Sequence, residues 1–450
     1  MPSSTPVNSH ESKLARLRAE LAGSPGGIGL AKSTSNLFRD RERQARPRVD
    51  LSRFNEVVEV DAARARVSAE GMTAYADLVD ATLAHGVMPC VVPQLKSITL
   101  GGAAAGVGIE ASSFRYGLVH DTLLALDVLL ADGSIVSCTP ENEHRDLFFG
   151  FPNSYGTLGY ALKVTARTVP VKSYVRIEHV RHTDPRRYFE DIAARCRAKD
   201  ADFVDGTVFS GDEMYITLGR FADGAPCTSD YTFEHIYYRS IREKKTDTLT
   251  TRDFIWRWDT DWFWCSKNLF VQNPVVRRLV GRKRLNSTTY ARVMRWNSKW
   301  GFTRAFSRLS GKTPESVIQD VDIPIARAPE FLAFFLEEIG VLPVWICPIG
   351  SYDPQARFPL YAVDPRIVYV NFGFWDVVQD PVRREPGHYN RKIERKVAEL
   401  GGVKSLYSDS YYPEEEFWRL YNRSAYDALK ARYDPQGRFR NLYEKCVLRK

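Results

Sequence analysis

The stretch Thr99-Leu100-Gly101-Gly102-Ala103-Ala104-Ala105-Gly106-Val107-Gly108-Ile109-Glu110 carries four glycines and three alanines. Stripped of side chains, such a run lets backbone approach a ligand closely. A glycine-rich turn also exposes several N–H donors that hold a pyrophosphate without a lysine at the end of the loop. Backbone packed against backbone uses glycine in the same way, so the surroundings decide. Familiar signatures do not apply. Gly106-Val107-Gly108-Ile109-Glu110-Ala111 lacks a third spaced glycine, and Gly311-Lys312-Thr313 has Phe306 where a phosphate loop needs glycine. Ser154, with Pro152 two positions earlier, makes no nucleophile elbow, and His10-Glu11 lacks the second histidine of a zinc protease.

Outward from this run, strands and helices alternate. Val57 to Val60 and Arg66 to Ala69 read as strands, and Thr73 to His85 spaces Leu78, Val79 and Leu83 for a helix that Gly86 stops. Leu126 to Leu130 and Ile135 to Cys138 flank Asp132-Gly133, which supplies the positive φ angles of a tight hairpin. In Tyr160 to Val169, Leu162, Val164 and Ala166 alternate with Lys163, Thr165 and Arg167, a strand with one buried face that Pro170 closes. The charged lead carries Leu14, Leu17 and Leu21 at helical spacing and ends in a Gly/Pro-rich linker at Gly23 to Gly29. A second pattern begins near Tyr174 with alternating Val175, Ile177 and Val180. It continues with a helix over Pro185 to Lys199, a hairpin around Gly211, strands at Val344 to Ile349 and Ile367 to Gly373, and a helix from Tyr389 to Leu400.

A chain of 450 residues, 44% hydrophobic and 26% charged, has the composition of a globular protein of two or three domains. Its 63 basic and 55 acidic residues leave a net charge of +8, too dilute to argue for nucleic acid. The seven cysteines are never closer than 31 positions, which gives no zinc or redox spacing and suits reduced thiols in a cytosol. Met1 to Arg18 has no apolar h-region, and no run approaches the roughly 20 apolar residues that span a bilayer. The block Phe254, Trp256, Trp258, Trp262, Phe263, Trp264 precedes Arg277, Arg278, Arg282, Lys283, Arg284. It suits a tunnel wall for an apolar chain, a membrane-interface patch or ordinary core packing.

The glycine-rich run stands in an ordered set. Val91-Val92-Pro93-Gln94 precedes it, Ser112-Ser113-Phe114-Arg115-Tyr116-Gly117-Leu118 follows, then the Asp132-Gly133 hairpin, then Asn153-Ser154-Tyr155-Gly156-Thr157-Leu158-Gly159-Tyr160. This set resembles the FAD-binding domain of the vanillyl-alcohol oxidase and p-cresol methylhydroxylase (PCMH-type) superfamily. Within it, Gly108-Ile109-Glu110-Ala111-Ser112-Ser113, Val344-Trp345-Ile346-Cys347-Pro348, Leu406-Tyr407-Ser408-Asp409-Ser410-Tyr411 and Glu415-Glu416-Phe417-Trp418 are similar to the Δ24-sterol reductases and their bacterial relatives. The likeness runs from about Val91 to Trp418. It lacks the N-terminal membrane anchor of the sterol enzymes and the histidine to which some relatives attach flavin.

The resemblance implies an α+β fold of two domains. After a lead over 1–24, an FAD-binding domain spans 25–172 and a substrate domain of antiparallel sheet and helices spans 173–400, with 401–450 returning to the flavin. It implies dissociable FAD, bound by Lys32, Ser33, Thr34, Ser35 and Asn36, by Thr99, Leu100, Gly101, Gly102, Gly106, Gly108 and Ile109, and by Ser112, Ser113, Gly156, Thr157 and Gly159. Relatives reduce an isolated double bond in a lipid with NADPH or NADH recharging the flavin. Here that substrate would be a methylene-branched fatty acyl chain or a sterol Δ24 bond. Such a bond has no carbonyl to polarise it, so an acid of raised pKa is needed in an apolar pocket. The candidates are Glu110, Tyr407, Asp409 and Tyr411, the last three alternating along an expected strand; a salt bridge such as one to Arg115 is the structural reading of Glu110. His120 and Asp121 follow the Tyr116-Gly117 turn, where a structural hydrogen-bonding role outweighs contact with flavin. No metal is implied. The expected setting is the cytoplasm, with peripheral contact at the inner membrane face and a lipid methyltransferase in the same pathway. An FAD-linked oxidase of a small alcohol or 2-hydroxy acid and a non-catalytic lipid-binding protein are the competing readings.

Overall fold

The computed structural model describes residues 9–21, 29–31, 38, 48–300 and 313–449. A short parallel pair, β1 (Gly29–Ala31) and β2 (Arg48–Asp50), leads into the first sheet. That sheet is antiparallel and comprises β3 (Val57–Asp61), β4 (Arg66–Glu70), β5 (Val87–Pro89), β6 (Leu123–Leu129), β7 (Ile135–Cys138) and β8 (Tyr160–Pro170), in the order β3-β4-β8-β6-β7 with β5 also on β8. β8 is central because it alternates cleanly, with Leu162, Val164 and Ala166 buried. Each aliphatic side chain of that size contributes about 1.5–3 kcal/mol when removed from water. The β6–β7 turn needs less than the expected pair of positive φ angles. Gly133 alone of its dipeptide is left-handed, at φ 89°, while the Asp132 carboxylate accepts from the Ser134 N–H at 2.9 Å and steadies the turn.

The second sheet has eight antiparallel strands. They are β9 (Tyr174–His182), β10 (Phe203–Ser210), β11 (Glu213–Ala222), β12 (Thr246–Thr250), β13 (Thr313–Pro324), β14 (Val344–Ile349), β15 (Tyr369–Asp380) and β16 (Val403–Lys404). Their order is β12-β9-β11-β10-β14-β15-β13-β16. β15 extends beyond the expected Gly373 because β13 pairs with it along twelve positions, from Thr313↔Asp380 to Pro324↔Tyr369. One face of the sheet carries Val204, Val208, Val317, Val321, Ile346, Phe372 and Phe374, packed beneath the helices Pro185–Ala198, Ala328–Glu338 and His388–Glu399. On the opposite face, register places Trp345, Gly373 and Asp320 side by side on three strands, and Cys347, Asn371 and Asp322 in the next row.

That second face meets the glycine-rich segment of the first sheet. Val204 N–H donates to the Ala111 carbonyl at 2.8 Å, Gly350 N–H to Ser113 at 3.0 Å, and the Cys347 thiol to the Glu110 carbonyl at 3.1 Å. The C-terminal helices Arg423–Tyr433 and Leu442–Cys446 pack back on the first sheet, where Arg432 pairs with Asp146 at 3.0 Å and Phe439 meets Tyr160 edge-on. Ahead of them, the strand expected at Tyr407, Asp409 and Tyr411 is absent. β16 stops after two residues, and among the described residues only Ser408 bridges Phe38 beyond it. Tyr407 is thereby parted from Asp409 and Tyr411, which both reach Arg449 instead.

Candidate active site

A cavity of about 460 Å³ lies where the two sheets face each other. Its floor is largely backbone, from Gly101, Gly102, Gly106 and Gly108 of the glycine-rich run, Gly71 after β4, and Gly156 and Gly159 before β8. Thr99 and Ile109 line it too. Thr99 starts the helix Leu100–Ala105, its Oγ1 accepting from Gly102 N–H at 3.2 Å. The close packing is real: a Cβ on Gly101 would stand 2.7 Å from the Gly71 carbonyl oxygen. The turn before β8 holds Asn153, Tyr155 and Gly156 at φ 61°, 49° and 73°, and the Lys445 ammonium donates to the Tyr155 carbonyl at 2.5 Å.

Three cations, Arg48, Arg440 and Lys445, also line the cavity. Gln94 lines it as well, and its Nε2 is buried without an acceptor in the described protein. A bound group that brings its own acceptor would satisfy that amide. The roof is of another kind, built from Trp345, Trp375, Tyr407, Trp262 and Phe263. Trp262 and Phe263 are successive left-handed residues, φ 44° and 59°, a conformation costly for bulky side chains and concentrated at functional sites. Phe263 lies on Trp375 with ring centres 4.2 Å apart.

Asp320 is the one carboxyl among the described residues lining the cavity. Burial pushes its pKa up to about 7, the Tyr407 hydroxyl pulling it down and the Asp322 carboxyl adding to the rise. The indole Nε1 of Trp375 donates to the Tyr407 hydroxyl at 2.9 Å. Sequence reasoning passed over Asp320. Its signal was the spacing of Asp320 and Asp322 within the strand residues Val317, Val321 and Ile323, which puts two acids on one face of a strand.

The other expected residues have different surroundings. Lys32 to Asn36 lie outside the described residues. Leu100 points into the core. The hydroxyls of Ser112 and Thr157 donate to the Cys90 and Ser154 carbonyls, and that of Ser113 accepts from Glu110 N–H, so all three brace loops and none lines the cavity. Glu110 sits behind the floor. Its Oε1 accepts from Arg257 at 3.0 Å, and the same guanidinium nitrogen donates to Asp205 at 2.8 Å. Burial raises the Glu110 pKa to about 7 against the pull of Arg257, and Asp205 adds to the rise. Arg115, its expected partner, donates to the Lys199 and Ala201 carbonyls instead. Asp409 and Tyr411 are outside the cavity lining.

His120 is buried against Phe358, neither ring nitrogen has a hydrogen-bond partner among the described residues, Asp121 Oδ2 standing 3.7 Å from Nε2, and burial lowers its pKa to about 3. It is therefore not the satisfied hydrogen-bonding group expected, because its surroundings are aromatic. Asp121 accepts from Leu118 N–H at 2.8 Å. In the aromatic block, Trp256, Trp258 and Trp264 are core, while Trp262 and Phe263 reach the cavity. In the basic run, Arg277 is buried and bidentate on Asp261, and Arg278 and Arg282 pair with Glu234 and Asp230.

Comparison with known proteins gives this geometry a context. The FAD binding domain family matches residues 33–139. The Δ24-sterol reductase of Homo sapiens is 28% identical over 414 residues, covering 87% of this chain and 76% of that protein. The Δ24-sterol reductase of Pisum sativum is 25% identical over 464 residues, covering 90% and 77%. Cytokinin dehydrogenase 7 of Oryza sativa is 31% identical over 146 residues, 32% of this chain and 28% of that protein. The cavity fits FAD on its own terms. The glycine floor admits a flat dinucleotide, the cations suit its diphosphate, and the Gln94 amide is left for a ligand acceptor. The protein thus has an α+β fold with an FAD binding domain and is an FAD-dependent oxidoreductase, similar over most of its length to the Δ24-sterol reductases.

Proposed function

We propose that the protein reduces an isolated carbon–carbon double bond of a lipid, either a methylene-branched fatty acyl chain or a sterol Δ24 bond, with NADPH or NADH as electron donor and non-covalent FAD as carrier. The observation that carries this reading is the roof: aromatic side chains and a single carboxyl, in a chain similar to Δ24-sterol reductases through both sheets. Bound FAD supplies hydride chemistry. The chain does the rest. The glycine floor and Gln94 would seat the cofactor, Arg48, Arg440 and Lys445 would balance its diphosphate, and Trp262, Phe263, Trp345 and Trp375 would hold an apolar chain and exclude water.

An oxidase of a 2-hydroxy acid needs a cationic clamp beside the reacting carbon. The cavity's cations come instead from β2 and the C-terminal segment, and none comes from the strands that carry the aromatic roof. In the proposed reading residues 25–172 bind FAD, 173–400 shape the substrate site and 401–450 return to the cofactor. The enzyme would work in the cytoplasm at the inner membrane face, on the product of a lipid methyltransferase. Among the described residues no helix is long and apolar enough to cross a membrane.

The test is anaerobic. Flavin-replete protein is mixed with NADPH or NADH, then with a methylene-branched acyl lipid or a Δ24 sterol in micelles. The reading expects the nucleotide to bleach the visible flavin band and one lipid to restore it. Bleaching by a small alcohol or hydroxy acid, with no response to nucleotide, would overturn it.

A further inference from the structure

We propose that Asp320 is the acid that protonates the substrate carbon, with Tyr407 and Trp375 as the residues that position it. The inference rests on the reductase reading and names a residue that the family likeness did not.

Four observations converge. First, Asp320 is the one carboxyl among the described cavity-lining residues, and the acids expected at the outset are engaged elsewhere, Glu110 by Arg257 and Asp409 by Arg449. Second, Asp320 has no cationic partner among the described residues. Glu70, Asp261 and Glu394, also buried, are paired with Lys13, Arg277 and Lys404. A buried carboxyl without a cation holds its proton, whereas one with a cation gives it up. Third, the residue opposite on β15 is Gly373, and a Cβ there would lie 2.8 Å from Asp320 Oδ1. Glycine at this register position leaves the carboxyl uncrowded beside the roof. Fourth, Oδ1 is buried with no hydrogen-bond partner among the described residues, which leaves it free to bond a ligand.

Tyr407 acts on the same carboxyl. The Tyr407 oxygen accepts from Trp375 Nε1, which leaves its own O–H to donate to Asp320 and orient the carboxyl. The titratable groups acting on Asp320 are thus Tyr407 and, on its own strand, Asp322. Tyr407 itself is held well above the ordinary tyrosine range by burial, so it positions rather than donates.

The step balances. One alkene carbon takes the hydride that reduced FAD supplies. The π electron pair forms a C–H bond on the other carbon as the Asp320 O–H bond breaks. The carboxylate left behind regains its proton from water, and the reduced pyridine nucleotide restores the electrons.

The test compares wild type, Asp320→Asn, Asp320→Glu and Tyr407→Phe as holoproteins. Flavin is reduced chemically under argon, and reoxidation is followed after adding a methylene-branched acyl lipid or a Δ24 sterol in micelles. Asp320→Asn is expected to slow reoxidation by about 10²–10⁴-fold, with FAD content and visible spectrum retained. Asp320→Glu should recover part of the rate, and Tyr407→Phe should shift its pH profile. In wild type the rate should fall as pH rises through about 7. A second readout needs no turnover: Glu110 also titrates near pH 7, so the infrared carboxylic-acid signal titrating there should lose the Asp320 share of its intensity in Asp320→Asn and keep the rest. Wild-type reoxidation by Asp320→Asn, or an unchanged infrared band, would overturn the assignment and leave the reductase reading standing. Failure of wild type itself to reoxidise with either lipid would overturn that reading and the assignment with it.

Discussion

Arg257 joins Glu110 of the glycine-rich segment to Asp205 of β10, and all three side chains are buried. Removing the guanidinium would leave two acids facing each other without water. Arg257→Ala is therefore expected to destabilise the protein by about 3–5 kcal/mol, read as a lower urea midpoint, with Arg257→Lys losing less. Asp320 predicts a pH effect of definite sign. Its pKa in the folded chain, about 7, exceeds the ordinary 3.8, so the folded state binds the proton more tightly. The stabilisation is present in full below pH 3.8 and is lost as pH rises toward and through 7. Asp320→Asn lacks this term. Its stability relative to wild type should rise over that window by up to about 1.4 kcal/mol per pH unit, measured by denaturant titration at stepped pH. Glu110 was visible in the sequence as an acid behind a glycine loop. Its partner, 147 positions away, was not, because only the packing of the two sheets brings them together.

Periodicity reveals elements whose two faces differ. β8 was legible because wet and dry residues alternate, and the Asp132-Gly133 turn because glycine takes its left-handed position and the aspartate hydrogen-bonds across it. The row Trp345, Gly373, Asp320 was not legible, since it depends on the register of β13, β14 and β15. The stretch around Tyr407 was misread as strand because alternation alone does not show where a sheet ends. The glycine floor yields a contrast between two elements. Gly101→Ala would force a Cβ to 2.7 Å from the Gly71 carbonyl, whereas Gly86, at φ 70°, has open space around its missing Cβ. Gly101→Ala is expected to purify with much less FAD, by the ratio of visible to ultraviolet absorbance. Gly86→Ala should keep its flavin and lose only the roughly 1–2 kcal/mol of a left-handed alanine. Equal flavin content in the two would contradict the floor assignment.

At the scale of the molecule, the cofactor would lie between two sheets already joined by backbone hydrogen bonds from Val204 to Ala111 and from Gly350 to Ser113. Ligand seated there stabilises both. Free FAD at a hundred times its dissociation constant should add about 2.7 kcal/mol, seen as a rise in Tm, and acid precipitation should release the yellow colour in keeping with the proposed non-covalent flavin. The α+β class was reached through the family resemblance, and the change of pattern near Tyr174 coincides with the start of the second sheet at β9. The chemistry of the roof could not, because it is assembled from β13, β14, β15 and two residues at Trp262 and Phe263. The most direct measurement is the mass of the lipid recovered after one anaerobic turnover in heavy water. The account predicts that a methylene-branched acyl chain or Δ24 sterol gains two hydrogens per reduced flavin, with deuterium on the carbon that takes the proton. A lipid recovered with its mass unchanged, from protein whose flavin a small alcohol or hydroxy acid readily reduces, would contradict it.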